Sequence, residues 1–173
     1  MYGNNSATKK NENTAFMRES QFQCVDLINN TGIAITMDIG DAYSIHPPNK
    51  KEVANRLLYK ALHKTYGYKT IAVDAPKYNS FKVEKQRIKL SFENMKMGLY
   101  SYGKLKNYEI AETDKTFYPA TAKIIKHKKI LVLSDKVPNP VAVRYAWKNC
   151  GVRTLFSNSL LPVSSFRTDN WNQ

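Results

Sequence analysis

His46, with Asp38 and Asp41 upstream of it, carries the clearest chemistry in this 173-residue chain. An imidazole held by a carboxylate can take the proton of a serine nucleophile, and such a pair is two thirds of a hydrolytic triad. Asp41 lies five residues before His46 and just past Gly40, whose backbone freedom lets the chain turn; it is the better orienting acid. Asp38, eight residues before His46, lies at the end of an apolar run. Either acid suits equally well the bonding of loop N–H groups, and a histidine that only packs or caps is the alternative use of His46. Many lipase-like hydrolases place the acid three residues before the histidine, and here that position holds Tyr43.

A nucleophile to match is not visible. No Gly-x-Ser-x-Gly elbow occurs, and Ser6, Ser20 and Ser44 lack the strand–turn–helix setting that exposes an attacking hydroxyl. Cys24 falls inside a predicted helix, away from the electropositive setting that makes a thiol nucleophilic. His63 and His127 fall on a helix and in a basic turn, where solvation is the expected fate. The chain thus offers a base without its serine.

The elements around His46 explain why it draws attention. Ile33-Ala34-Ile35-Thr36-Met37-Asp38 is a short, nearly continuous apolar run, as in a buried parallel strand, and open α/β sheets bind substrates beyond such strand ends. Before it, Ala15, Phe16, Glu19, Phe22, Val25 and Ile28 recur near the helical period, predicting a helix over Asn11 to Ile28 that Asn29-Asn30-Thr31-Gly32 ends. After it, Pro47-Pro48 stiffen the exit and Asn49 caps a second helix, with Val53, Leu57, Leu58, Ala61, Leu62 and Thr65 on one face. Tyr66-Gly67-Tyr68 closes that helix. Helix, strand, loop and helix are a fragment of a doubly wound α/β layer, too small to close such a layer alone.

The pattern changes after Pro76. Short alternating runs over Ser80–Val83, Arg87–Phe92, Tyr108–Ala111, Thr121–Ile125, Ile130–Leu133 and Val141–Trp147 recur at roughly ten-residue spacing, as in an all-β sandwich. The expected organisation is α/β plus all-β, with an α/β part over residues 1–75 and a β-sandwich over 76–173.

Composition narrows the function classes. An apolar fraction of 42% and an aromatic fraction of 12% suit a folded chain. No apolar run is long enough to span a membrane, and the first twenty residues lack the apolar core of a signal peptide. Cys24 and Cys150 are too few for a disulfide framework or a zinc motif, and no cofactor or metal is expected. The net charge of +13 invites a nucleic-acid reading, but the 27 basic residues are scattered along the chain. Their one tight cluster, Lys126-His127-Lys128-Lys129, sits where a hairpin turn is predicted. Neither nucleic acid nor membrane is therefore an expected partner.

The runs Ala34–Asp41 and Ile45-His46-Pro47-Pro48-Asn49 through Leu57 resemble the histidine segment of the sialate O-acetylesterases, members of the SGNH-type esterases. Phe16-Met17-Arg18-Glu19-Ser20-Gln21 is similar to the helix preceding it in that family. Pro138–Trp147 and Leu160–Trp171 are similar to its final domain, so the resemblance covers nearly the whole chain. It implies the C-terminal portion of an SGNH-type α/β domain followed by a β-sandwich. The implied activity is hydrolysis of O-acetyl esters of sialic acid or related sugars through a serine acyl-enzyme, with His46 as base.

The family's serine lies in a Gly-Gln-Ser-Asn type motif that this chain lacks, and Ser44-Ile45-His46-Pro47 stands where many relatives have Asp-Ile-His-Pro. The resemblance therefore implies inactivity alone and an N-terminal complementing chain that carries the serine. Family relatives are often secreted, periplasmic or lysosomal. A second expectation is a non-catalytic carbohydrate- or partner-binding sandwich, with Tyr100, Tyr102, Tyr118 and Trp147 as ring-stacking candidates, although packing in the core suits them as well.

Overall fold

The structure, a computed structural model, describes residues 14–41, 44, 46, 48–151 and 153–171. The chain divides into two compact units, Met1–Asp74 with Lys148–Cys150, and Ala75–Trp147 with Gly151–Gln173.

The first unit holds two helices. α1 spans Thr14–Leu27, inside the predicted range; Asn11, Glu12 and Asn13 lie outside the described residues. Its first N–H group finds a partner far away in sequence: the Thr14 N–H donates to Asn149 Oδ1 at 2.8 Å, and Arg18 Nη2 donates to the Lys148 carbonyl at 2.9 Å. α2 spans Lys50–Lys64, and the Asn49 side chain accepts from the Glu52 N–H, the N-cap bond expected from the sequence. At its other end Gly67 takes φ +78°, a conformation that glycine adopts without steric cost.

Two expectations for this unit are corrected. The strand predicted over Ile33–Asp38 is not formed. Ile33–Thr36 join no ladder with any described residue, and Met37–Ile39 turn, with the Ile39 N–H donating to the Thr36 carbonyl at 3.3 Å. A strand exists only with a neighbour to pair with, and a parallel neighbour comes from elsewhere in an α/β layer. The predicted apolar face of α2 is covered only in part: Val53, Ala61 and Leu62 are half-buried. Arg56 is the helix's buried residue, while Leu57 and Leu58 stand 51% and 52% exposed.

The second unit is antiparallel throughout. β1 (Lys77–Glu84), β2 (Arg87–Glu93), β7 (Lys129–Leu133) and β6 (Thr121–Ile125) form one four-stranded sheet in the order β1-β2-β7-β6. β10 (Phe166–Arg167), β8 (Ala142–Tyr145), β4 (Tyr108–Ala111) and β5 (Phe117–Pro119) form a second, and β3 (Leu99–Ser101) pairs with β9 (Leu155–Ser157). On β2 and β7 the alternation seen in the sequence becomes alternating burial: Ile88, Leu90, Ile130 and Val132 are fully enclosed. Each such side chain contributes about 1.5–3 kcal/mol of apolar burial. The turn expected over Lys126–Lys129 forms over Lys126–Lys128, Lys129 opening β7, with Lys126 and His127 both at positive φ and the Lys128 N–H closing onto the Ile125 carbonyl.

Aromatic side chains join the two four-stranded sheets. Tyr78 of β1 stacks on Phe166 of β10 at 4.8 Å, and Phe92 of β2 meets the same ring edge-on at 5.6 Å. β8 is buried along its whole length, Arg144 included. That cation is accommodated by Asp169, which accepts from Nε at 3.0 Å and Nη2 at 2.8 Å, and its guanidinium lies 4.1 Å from the Phe117 ring centroid. A planar, weakly hydrated guanidinium suits such a bidentate and stacked position. The described chain is thus mostly antiparallel sheet, with two helices.

Candidate functional site

Asp38 is committed to Arg56. Nη1 of Arg56 donates to Asp38 Oδ1 and Nη2 to Oδ2, each at 2.7 Å. Nη1 also reaches the Ile35 carbonyl at 2.5 Å, and Nε donates to Glu52 one turn earlier on α2 at 2.9 Å. The bonds to Asp38, opposed by burial, raise the guanidinium above its ordinary range, so it carries its charge at every working pH. Asp38 therefore ties the end of the Ile33–Met37 run to α2, and the role open to it is structural.

His46 is exposed, and no described residue bonds its imidazole. Its backbone is ordered by Ser44: the His46 N–H donates to Ser44 Oγ at 3.0 Å. This bond, from a side-chain oxygen to the N–H two residues on, is the one an aspartate makes in an Asx-turn. Asp41 is half-buried shortly after the Met37–Ile39 turn. Tyr43 and Pro47, named with this loop, lie outside the described residues, as does Ser6.

The serines described in the first unit are turned to backbone. Ser20 Oγ donates to the Phe16 carbonyl within α1 at 3.1 Å, and Ser44 is used by its own loop. Cys24 and Cys150 are free thiols, and Cys24 bonds the Ser20 carbonyl one turn back on α1. His63 Nδ1 lies 3.1 Å from the Tyr68 carbonyl, beyond the end of α2, and His127 is in the exposed β6–β7 turn. No group of three or more histidine, cysteine or acidic side chains able to hold a metal occurs among the described residues. No described helix is long and apolar enough to cross a membrane. What the first unit presents is a solvent-facing imidazole on a loop tied at both ends, by Arg56–Asp38 before it and by the Asn49 cap after it.

The ring-stacking candidates divide. Trp147 is buried and Tyr118 half-buried, with Lys136 Nζ 5.8 Å from the Tyr118 ring centroid. Tyr100 and Tyr102 are exposed and meet edge to face at 5.0 Å.

Arg56 was not singled out from the sequence, because it lies off the expected apolar face of the helix; the one local signal was Glu52, four residues earlier.

No family model matches the chain, and no curated protein matches it. Among solved structures it is similar to XAC1771, a novel carbohydrate acetylesterase from Xanthomonas citri, with 39% sequence identity and a TM-score of 0.84 over 91% of this chain. The chain spans 36% of that protein's length.

Proposed function

We propose that this chain is the histidine-bearing, C-terminal part of a carbohydrate O-acetylesterase, and that the serine it serves lies on another stretch of polypeptide. One observation carries the reading: 39% identity to a carbohydrate acetylesterase, sustained over 91% of the chain. The exposed His46, whose N–H donates to Ser44 Oγ, is consistent with it. In this reading the α/β part covers residues 1–75 and the sandwich 76–173. Sialic acid, or a related sugar, carries the acetyl group.

His46 takes the serine proton as the hydroxyl attacks the acetyl carbonyl, then returns it to the departing sugar oxygen. A water activated by the same imidazole releases acetate. Asp41 is the acid read as orienting the imidazole, from its place past Gly40 and five residues before His46. Without the serine and its oxyanion donors the chain alone is inactive.

The test is acetate release from O-acetylated sialic acid and from acetylated neutral sugars, by the chain joined to its serine-bearing part. Loss of at least a hundredfold in kcat with His46→Ala is expected, and an unchanged rate would sink the assignment. Release from the neutral sugars alone would keep the esterase and remove the sialate preference.

The exposed pair Tyr100 and Tyr102 supports a second reading, a non-catalytic sugar-binding sandwich. It predicts glycan binding by this chain alone that Tyr102→Ala abolishes.

A further inference from the structure

We infer that the ridge built by β3 and the β6–β7 turn binds an acidic polysaccharide, its sugar rings packing on Tyr100 and Tyr102 and its carboxylates meeting nearby lysines. Tyr100 lies on β3 and Tyr102 just beyond it; they are 39% and 54% exposed, with ring centroids 5.0 Å apart at 88°. Phe156 of β9, itself buried, meets the Tyr102 ring edge to face at 5.1 Å. The Tyr102 N–H donates to the Thr154 carbonyl at 3.3 Å. The ring pair is thus held in place before a ligand arrives, which lowers the ordering cost of binding.

The basic turn is fixed to the same strand. The Leu99 N–H donates to the His127 carbonyl at 2.7 Å. Gly98 takes φ +85°, and a Cβ there would lie 2.9 Å from that carbonyl oxygen, so glycine is what lets the two segments approach so closely. Asn158 ties the same corner, its N–H donating to the Gly98 carbonyl at 3.0 Å and its Nδ2 to the Met97 carbonyl. Lys126 and Lys128, exposed on either side of His127, are thereby carried to the Tyr100 end of β3. Lys104, also exposed, follows Tyr102 by two residues.

Charge selects the ligand. The segments that build the ridge, residues 94–108, 120–134 and 153–168, contain none of the chain's 14 acidic residues. A surface of one sign concentrates ligands of the other. Among polyanions the rings favour a sugar, because a tyrosine's apolar face and polar tip match the C–H face and hydroxyl rim of a pyranose. Nucleic-acid bases stack on successive ring faces, whereas these two rings are perpendicular. The choice of a sugar rests on the sugar-binding reading of the sandwich, to which the acidic class is added.

The probe is polygalacturonate, titrated calorimetrically into the whole 173-residue chain, with its methyl ester as the same row of rings without charge. Binding is expected for the acid and at least tenfold weaker binding for the ester. Affinity for the acid should fall about tenfold between 0.05 and 0.2 M salt. Tyr102→Ala should weaken it about tenfold, and Lys126→Gln together with Lys128→Gln about fivefold. Lys85→Gln together with Arg87→Gln removes the same charge at the opposite end of that sheet and should leave the affinity unchanged. An unaltered circular dichroism spectrum shows that each variant folds.

Equal affinity for acid and ester, or a turn substitution no more sensitive than its control, would overturn the inference and leave a neutral-sugar site. Oligothymidylate or anionic phospholipid vesicles bound as tightly as polygalacturonate would overturn it as well, in favour of a general polyanion surface. So would the absence of any binding to the acid. The sugar-binding reading falls separately, when no neutral glycan binds in a Tyr102-dependent way.

Discussion

Both oxygens of Asp38 are taken by one guanidinium, that of Arg56, eighteen residues further along the chain. The pair is largely enclosed, with 7% of the Arg56 side chain and 14% of Asp38 exposed. Removing one partner of such a pair strands the other's charge and costs about 3–5 kcal/mol. Glu52 and the Ile35 carbonyl remain as partners for Arg56, which places Asp38→Ala at the lower end. Arg56→Leu leaves Asp38 without its guanidinium and the Ile35 carbonyl without its donor, which places it higher. Urea unfolding followed by helical ellipticity should show about 3 kcal/mol lost for the first and more for the second. Arg56→Lys should recover little, because one ammonium cannot reproduce the fork. Equal midpoints for lysine and arginine would contradict this account.

The second prediction concerns acid. Burial opposes ionisation of Asp74, but the Lys60 ammonium, bonded to it at 2.5 Å, outweighs this and holds the carboxyl below its ordinary value of 3.8. A carboxyl depressed in the folded state contributes stability above the unfolded value, and that contribution fades as pH falls through the folded one. The Asp74 side chain is 44% exposed, so screening keeps the contribution small, at about 0.5 kcal/mol. Asp74→Asn should therefore lower stability by about that amount at neutral pH and leave it unchanged near pH 2. Thermal midpoints measured across that range decide it, and a difference that persists in acid would refute the linkage.

The third concerns a hydroxyl without a partner. Tyr108 is enclosed, its ring 4.7 Å from that of Tyr145, and its hydroxyl has no hydrogen-bond partner among the described residues. Burial pushes that hydroxyl well above its ordinary pKa, so it stays neutral. Removing an unsatisfied buried polar atom relieves a desolvation cost, and Tyr108→Phe should be neutral or stabilising by about 1 kcal/mol. A fall in thermal midpoint of several degrees would show that the oxygen has an undescribed partner, such as a buried water.

What could be read ahead of the structure was local. Asn49 capping Glu52, the alternating Ile88, Leu90, Ile130 and Val132, and the Lys126–Lys128 turn are each written within a few residues of one another. β3, β5, β9 and β10 escaped because strands of two or three residues carry no period to detect. The Ile33 run failed as a strand for a different reason. Its composition is right, but a ladder belongs to two segments and only one was in view. The acids near His46 showed the same limit, since spacing alone cannot say that Asp38 is held by an arginine on the following helix.

Asn149 has a consequence for the order in which the protein assembles. The acceptor for the first N–H of α1 arrives 135 residues later, beyond β8. An uncapped helix end costs about 1 kcal/mol, and closing so long a loop is slow. The Thr14 N–H therefore gains this acceptor only once residues 148–150 have come back to the start of α1. A fragment ending at Asp74 would contain every residue of that helix and lack the Asn149 acceptor.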